Sequence, residues 1–258
     1  MQMPKIFVKT NYKLKTMQTK LNQYIINYTT HQEYHQLKRE VFSEKSYYFE
    51  ADNDTPVIVD AGANIGLATF YFKSLYPKAK ITAIEPYPPS FKLLKQNVFE
   101  NKLEDINLIQ AALWPKKLDR LKLHVDQTKN RWHSTAGIMP GGWTSKQQTQ
   151  FFYTPTITLS QVIENLGIVD LIKLDIEGAE GRVLKQALPK LNQVKQIICE
   201  YHPTIYQADK TLNMPLIKLV QLLEKTGFEV QVLKNHKPID PIKAKNSLVM
   251  IQANRLAS

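Results

Sequence analysis

Apolar residues arrive along this chain in two rhythms. Short runs with little polar alternation recur at Val57-Ile-Val59, Ile81-Thr-Ala-Ile84, Ile106-Asn-Leu-Ile109, Val169 to Leu174 and Gln196 to Cys199. Their β-branched, doubly apolar character suits strands buried on both faces of a parallel sheet. Between them, apolar positions repeat three and four apart: Leu67, Phe70, Tyr71 and Leu75, then Phe91, Leu94 and Val98, then Leu159 to Leu166, then Val183, Leu184, Ala187 and Leu188, and finally Leu216, Leu219, Val220 and Leu223. Such spacing predicts helices that dock an apolar stripe on the sheet. Alternation of the two patterns predicts an α/β fold with helices on both faces. Phe228 to Leu233 and Ser247 to Ile251 read as two closing strands, which add an antiparallel edge. The expected sheet has seven strands, mostly parallel, with the last antiparallel.

Two regions depart from this rhythm. Residues 1–50 carry Leu21, Tyr24, Ile25 and Tyr28 at helical spacing, and a second amphipathic stretch from Leu37 to Phe42. They predict an N-terminal helical extension beside a main domain at 51–258. Its aromatic residues suit core packing, a cover over a ligand, or a homodimer contact. Between about 114 and 156, Leu121 to Val125 alternates and Phe151 to Thr158 is β-prone, which predicts a β-rich insertion. It encloses Trp132, His133 and Ser134 and the glycine pair after Pro140. An insertion at this point can lie over a substrate mouth, with Trp132 and Ser134 as acceptor-binding residues, or form a surface loop packed over Trp132.

Composition narrows the class. The 258 residues suffice for one α/β core with an extension, and 43% hydrophobic with 22% charged content is that of a globular protein. Cys199 stands alone inside an apolar run and reads as an inert core thiol. No run is long enough to span a bilayer, and Met1 to Lys20 lacks a secretory apolar core, so a cytoplasmic protein is expected. The net charge is 34 − 23 = +11, which admits an anionic partner without selecting one. The lysines are scattered, so nucleic acid is admitted but not favoured.

Chemistry gathers at the strand ends. Val57 to Gly66 reads as strand, tight turn and helix, with Gly62 and Gly66 free to take positive φ and Asn64 tolerant of the left-handed region. The dinucleotide fingerprint G-x-G-x-x-G is not met, because Asn64 and Leu67 stand where it needs small residues. Instead the second strand ends in Glu85, placed to grip ribose hydroxyls, and Asp60 suits a cationic ligand better than a pyrophosphate. The pattern points to S-adenosylmethionine, held by Asp60, Gly62, Asn64, Gly66, Glu85 and Pro86. The small Ala111 and Ala112 would leave room for adenine. Ligands in open parallel sheets sit outside the carboxyl ends of the strands, so Asp175, Glu200 and His202 share that rim.

Val59 to Gly66, Glu85 to Phe91 with Leu94 and Asn97, and above all Leu171-Ile-Lys-Leu-Asp-Ile-Glu-Gly-Ala-Glu180 resemble the FkbM-type methyltransferases. Thr158-Leu159 before that last motif and Glu200-x-His202 after it belong to the same likeness, which covers residues 40–205. It implies the class I methyltransferase fold, Rossmann-like, and methyl transfer to a hydroxyl oxygen of a sugar, glycan or other metabolite. The insertion matches little beyond a serine near Ser134, so acceptor identity does not carry over.

An alcohol must lose its proton on methylation, and a positioned base contributes about 10²- to 10⁴-fold. His202 is the first choice on its near-neutral pKa, with Asp175 its rival and His133 third. Glu200 is assigned to the acceptor. Asp175, Glu177 and Glu180 raise the question of a hard cation, but acids at a helix start also cap it, and no metal is assigned. Two alternatives remain. Enzymes that methylate base nitrogens tend to end the fourth strand in Asn or Asp, two prolines and an aromatic. Here that place holds Asp175 to Gly178 without an aromatic platform, which leaves ribose methylation of RNA open. The other alternative is a non-catalytic cofactor-binding protein.

Overall fold

The computed structural model describes residues 16–126, 136–138, 149–203, 214–244 and 247–256. The chain opens with a hairpin, β1 (Met17–Leu21) and β2 (Tyr24–Tyr28), where the sequence predicts a helix. Leu21, Tyr24, Ile25 and Tyr28 satisfy a helical period, but Tyr24, Ile26 and Tyr28 also alternate, and these three are buried while Ile25 is exposed. The connection decides between the periods. Leu21 pairs with Tyr24, leaving a two-residue turn in which Asn22 adopts φ +53°, a conformation asparagine tolerates and a helix forbids. The helical expectation holds for the second stretch, α1 (His31–Lys38), capped by the Thr30 hydroxyl and continued by a π-helical turn over Arg39–Ser43.

The main sheet begins with β3 (Val57–Ala61), followed by α2 (Leu67–Leu75), β4 (Lys80–Ile84), α3 (Pro88–Glu100) and β5 (Ile106–Ile109). The short β6 (Ala112–Leu113) leads into the insertion, which contributes β7 (Leu121–Asp126), β8 (Ala136–Gly137) and β9 (Thr149–Thr154). These three form their own antiparallel sheet, as the alternation between 114 and 156 predicts. β10 (Thr156–Ile157) pairs with β6 and returns the chain to the domain. Next come α4 (Leu159–Leu166), started by a reciprocal Thr158–Gln161 capping box, then β11 (Val169–Leu174), α5 (Glu180–Ala187), β12 (Val194–Tyr201), α6 (Leu216–Lys225), β13 (Phe228–Lys234), β14 (Lys237–Pro238) and β15 (Val249–Arg255).

Among the described residues the central sheet runs β14-β13-β15-β12-β11-β3-β4-β5. The seven expected strands are all present, and the two-residue β14 extends one edge. β15 is antiparallel to both neighbours, while β12, β11, β3, β4 and β5 are mutually parallel. Burial explains the apolar runs. Val59, Ile172 and Ile197 pack in one layer with Val162, Val183 and Leu219 from α4, α5 and α6, whereas Ile58, Leu171 and Ile198 pack in the other with Phe70 of α2 and Ile26 of the hairpin. Every residue of β11 is buried, including Lys173.

The hairpin is tied down by polar groups as well as by its apolar face. Asn97 of α3 accepts from the Asn27 amide (2.7 Å) and donates to the Asn27 carbonyl (3.1 Å) and to the Ile65 carbonyl of the glycine turn (2.9 Å). One buried amide thus joins hairpin, helix and turn, and satisfies strand groups that would otherwise be unpaired.

Candidate active site

The turn after β3 is built by close approach. Gly62 has φ +76°, and a Cβ there would stand 1.8 Å from the carbonyl oxygen of Asp175, so the turn lies against the end of β11. Asn64 takes φ +50° and directs its amide to Glu85 Oε2 at 2.9 Å. The Tyr87 amide reaches Glu85 Oε1 at 2.8 Å. Both carboxylate oxygens are therefore oriented by backbone at the carboxyl end of β4. Burial pushes the Glu85 carboxyl up to about 7, against the pull of those two amides.

Asp60 occupies a different place from the one its sequence position suggests. Its side chain is wholly buried, with Oδ2 accepting from Thr69 Oγ1 at 2.6 Å and Oδ1 lying 3.5 Å from Lys173 Nζ. A carboxylate held this way braces β3, α2 and β11. Lys173 donates to the Gly62 carbonyl (2.7 Å) and the Ala61 carbonyl (3.3 Å), and lies 3.6 Å from Asp175 Oδ2. Burial opposes its charge, but Asp175 and Asp60 hold its pKa above the usual lysine value.

Past Asp175 the chain turns through Glu177, whose φ is +57°, and Gly178. Glu180 opens α5 with its carboxylate fully buried, accepting from the Gly178 amide at 2.8 Å and facing His202 Nδ1 at 2.9 Å. Glu180 therefore does more than cap a helix. The other imidazole nitrogen, Nε2, lies 3.5 Å from Glu177 Oε2, 3.9 Å from Glu200 Oε1 and 4.0 Å from Asp175 Oδ1. Burial alone would lower the His202 pKa, but Glu177 and Glu180 hold it well above the ordinary value. Glu200 is pushed well above the carboxylate range, first by burial and then by Asp175.

The N-terminal segment completes the cluster. The Tyr47 hydroxyl lies 3.0 Å from Glu40 Oε1, 3.3 Å from Glu200 Oε2 and 3.4 Å from Asp175 Oδ2. Glu40 sits in the π-helical turn, an irregularity that often marks functional sites. Sequence reasoning missed Glu40 and Tyr47, because only tertiary packing brings them to the rim. Lys173 carried a usable signal: a lysine inside a buried strand requires partners.

The insertion abuts both halves of the site. The Phe152 ring of β9 packs 5.3 Å from the Tyr87 ring, and a Cβ at Gly137 of β8 would stand 3.6 Å from the Glu177 carbonyl oxygen. Pro86 is half-buried beside Glu85, and Ala111 and Ala112 are buried, with the Ala112 amide bonded to the Pro155 carbonyl. Trp132, His133 and Ser134 lie outside the described residues. Cys199 is buried, and burial pushes its thiol well up, consistent with an inert core residue.

A family model described as the methyltransferase FkbM domain matches residues 60–230, which takes in the glycine turn, Glu85, the Asp175 to Glu180 loop and His202. The chain belongs to the FkbM methyltransferase family. Its relatives include methyltransferase sdnD of Sordaria araneosa, 32% identical over 174 residues, covering 57% of this chain and 66% of that protein. The 31-O-demethyl-FK506 methyltransferase FkbM of Streptomyces tacrolimicus is 24% identical over 246 residues, covering 86% and 90%. The 2-O-methyltransferase NoeI of Sinorhizobium fredii is 26% identical over 178 residues, covering 65% and 71%. The chain spans just under two thirds of the length of the first two curated relatives it matches, at 66% and 65%. Among solved structures, a methyltransferase FkbM from Methylobacillus flagellatus KT aligns with a TM-score of 0.52 at 14% identity, covering 86% of this chain and 50% of that one. That likeness supports the class I fold of this FkbM-family chain. No helix among the described residues is long and apolar enough to cross a membrane.

Proposed function

We propose that this chain is an S-adenosylmethionine-dependent O-methyltransferase acting on a hydroxyl of a small metabolite, sugar or glycan. The observation that carries the reading is the pairing of Glu85, oriented by two backbone amides at the end of β4, with the carboxylate-rich rim at the ends of β11 and β12. The donor set fits this cofactor. Glu85 offers lone pairs to ribose hydroxyls, and Asp175 beside the turn favours a cationic sulfonium or ammonium while repelling a pyrophosphate. Bound there, the cofactor supplies an electrophilic methyl group.

The residues of the chain do the rest. Glu85, Pro86 and the turn from Gly62 to Gly66 would hold the nucleoside, with Ala111 and Ala112 leaving space for the ring. The insertion, seated on Tyr87 and Glu177, would restrict water and shape the acceptor pocket. The acceptor proton passes to the carboxylates of Asp175 and Glu200, while His202, kept charged by Glu177 and Glu180, orients them rather than acting as the base expected from its ordinary pKa. Alignment of the acceptor oxygen with the methyl supplies much of the rate, since oriented reactants reach effective molarities of about 10⁵ M or more. The names of two relatives, a 31-O-demethyl-FK506 methyltransferase and a 2-O-methyltransferase, support oxygen as the target atom.

The test is transfer of isotopically labelled methyl from S-adenosylmethionine to a panel of hydroxylated metabolites and oligosaccharides. Label recovered as a methyl ether supports the reading. Label recovered only on nitrogen, or NAD bound in place of S-adenosylmethionine, would sink it.

A further inference from the structure

The rim holds more negative charge than the fold needs. Glu40, Asp175, Glu177, Glu180 and Glu200 crowd together against Lys173 and His202, and Lys173 is already committed to two carbonyls and to Asp60. One ligand atom each from Asp175, Glu177 and His202 lies within 4.8 Å of the others. A first-row divalent ion binds such atoms at about 2.0–2.2 Å, so two ligands of one ion stand roughly 3 to 4.4 Å apart. The separations of 3.5 and 4.0 Å from His202 Nε2 to Glu177 and Asp175 fall in that range.

The histidine distinguishes this group from an ordinary acidic patch. Its Nδ1 is anchored on the fully buried Glu180 at 2.9 Å, which fixes the ring and turns Nε2 toward Glu177 and Asp175. A carboxylate behind a histidine is how metal-ligating imidazoles are commonly oriented. The ligands come from two places, the loop between β11 and α5 and the end of β12, so the approach of His202 to the two acids is set by strand pairing and not by chain neighbourhood.

We propose that Asp175, Glu177 and His202 bind a divalent cation, with Glu180 as the positioning residue behind the histidine. Two carboxylates and one imidazole suit a Mn²⁺-class ion better than Mg²⁺. The proposal deepens the methyltransferase reading and rests on it for the ion's role, which is to take the acceptor oxygen as a Lewis acid. His202 is then a ligand, and Glu200, 3.9 Å from Nε2, receives the acceptor proton. The oxygen–methyl bond forms as the sulfur–methyl bond breaks, and the sulfonium leaves as a neutral thioether.

The test uses the full chain stripped with chelator and titrated with Mn²⁺, with free ion followed by its electron paramagnetic resonance signal. The expected result is one ion per chain, weakened about 10- to 100-fold in Glu180→Gln and at least as much in Glu177→Gln. Glu164→Gln, on α4 at an exposed ion pair with Lys190, should bind like the wild type. Circular dichroism confirms that each variant is folded. No Mn²⁺ bound by the wild type, or equal affinity in wild type and Glu177→Gln, overturns the site. Full methyl transfer in chelator overturns the ion's role and leaves the methyltransferase reading standing. Metal binding without any S-adenosylmethionine binding does the reverse.

Discussion

The α-carbon of Gly62 lies so close to the carbonyl oxygen of Asp175 that no side chain fits between them; a Cβ would stand 1.8 Å from that oxygen. The atom in the way is backbone, so no rotamer change relieves it. Gly62→Ala should therefore push the β3 turn away from β11, costing about 3 kcal/mol or more of stability and displacing Asp175 with it. Gly167→Ala is the control: its φ is also positive, at +78°, but nothing lies within 4 Å, so only backbone strain applies. Thermal melts of the two variants check the difference, and equal loss would contradict the close-approach argument.

The proposed contact of Glu85 with the ribose predicts that cofactor affinity depends on pH. The Glu85 carboxyl is pushed up to about 7 by burial, so the unliganded protein is half protonated there near neutrality. Ribose hydroxyls donate to the ionised form, so binding expels a proton below about pH 7. Affinity should rise with pH, about tenfold per unit, and level off above 7. Stability of the unliganded protein should move the other way. The native pKa lies above the ordinary 4.5, so the native state holds the extra proton between about 4.5 and 7, and this contribution to stability is lost as pH rises through that window. Titration calorimetry at pH 6, in buffers of different ionisation heat, would detect the released proton. A buffer-independent heat would argue against Glu85 as the ribose ligand.

Asn97 predicts a stability effect without a catalytic one of equal size. Its side chain serves two strand groups of Asn27 and the Ile65 carbonyl. Asn97→Leu leaves these buried groups without that partner and should destabilise the fold by roughly 2–4 kcal/mol. Hydrogen exchange should show the Asn27 amide losing protection while β11 and β12 keep theirs. Unchanged protection at Asn27 would contradict the anchoring role.

Much of this arrangement was legible in the sequence, for a definite reason. Strands buried on both faces, such as β11, leave an unbroken apolar run, and the polar residues that stop those runs, Glu85, Asp175 and, past Tyr201, His202, lie at the carboxyl ends of β4, β11 and β12. The hairpin was misread because Leu21, Tyr24, Ile25 and Tyr28 fit period 3.6 while Tyr24, Ile26 and Tyr28 fit period 2, and the left-handed Asn22 settled it. Asp60 was assigned to the ligand because strand ends usually face it, yet Thr69 and Lys173 turn its carboxylate inward. Glu40 and Tyr47 had no local signal, since their role exists only once the N-terminal segment packs against β11 and β12.

The most direct test of the account is calorimetric titration of S-adenosylmethionine into the wild type and Glu85→Ala. The account predicts micromolar binding by the wild type, about a tenfold or greater loss in Glu85→Ala, and no binding of NAD by either. Equal affinity in the two proteins, or binding of NAD instead, would contradict the central claim that the strand-end rim carrying Glu85 and Asp175 holds the methyl donor.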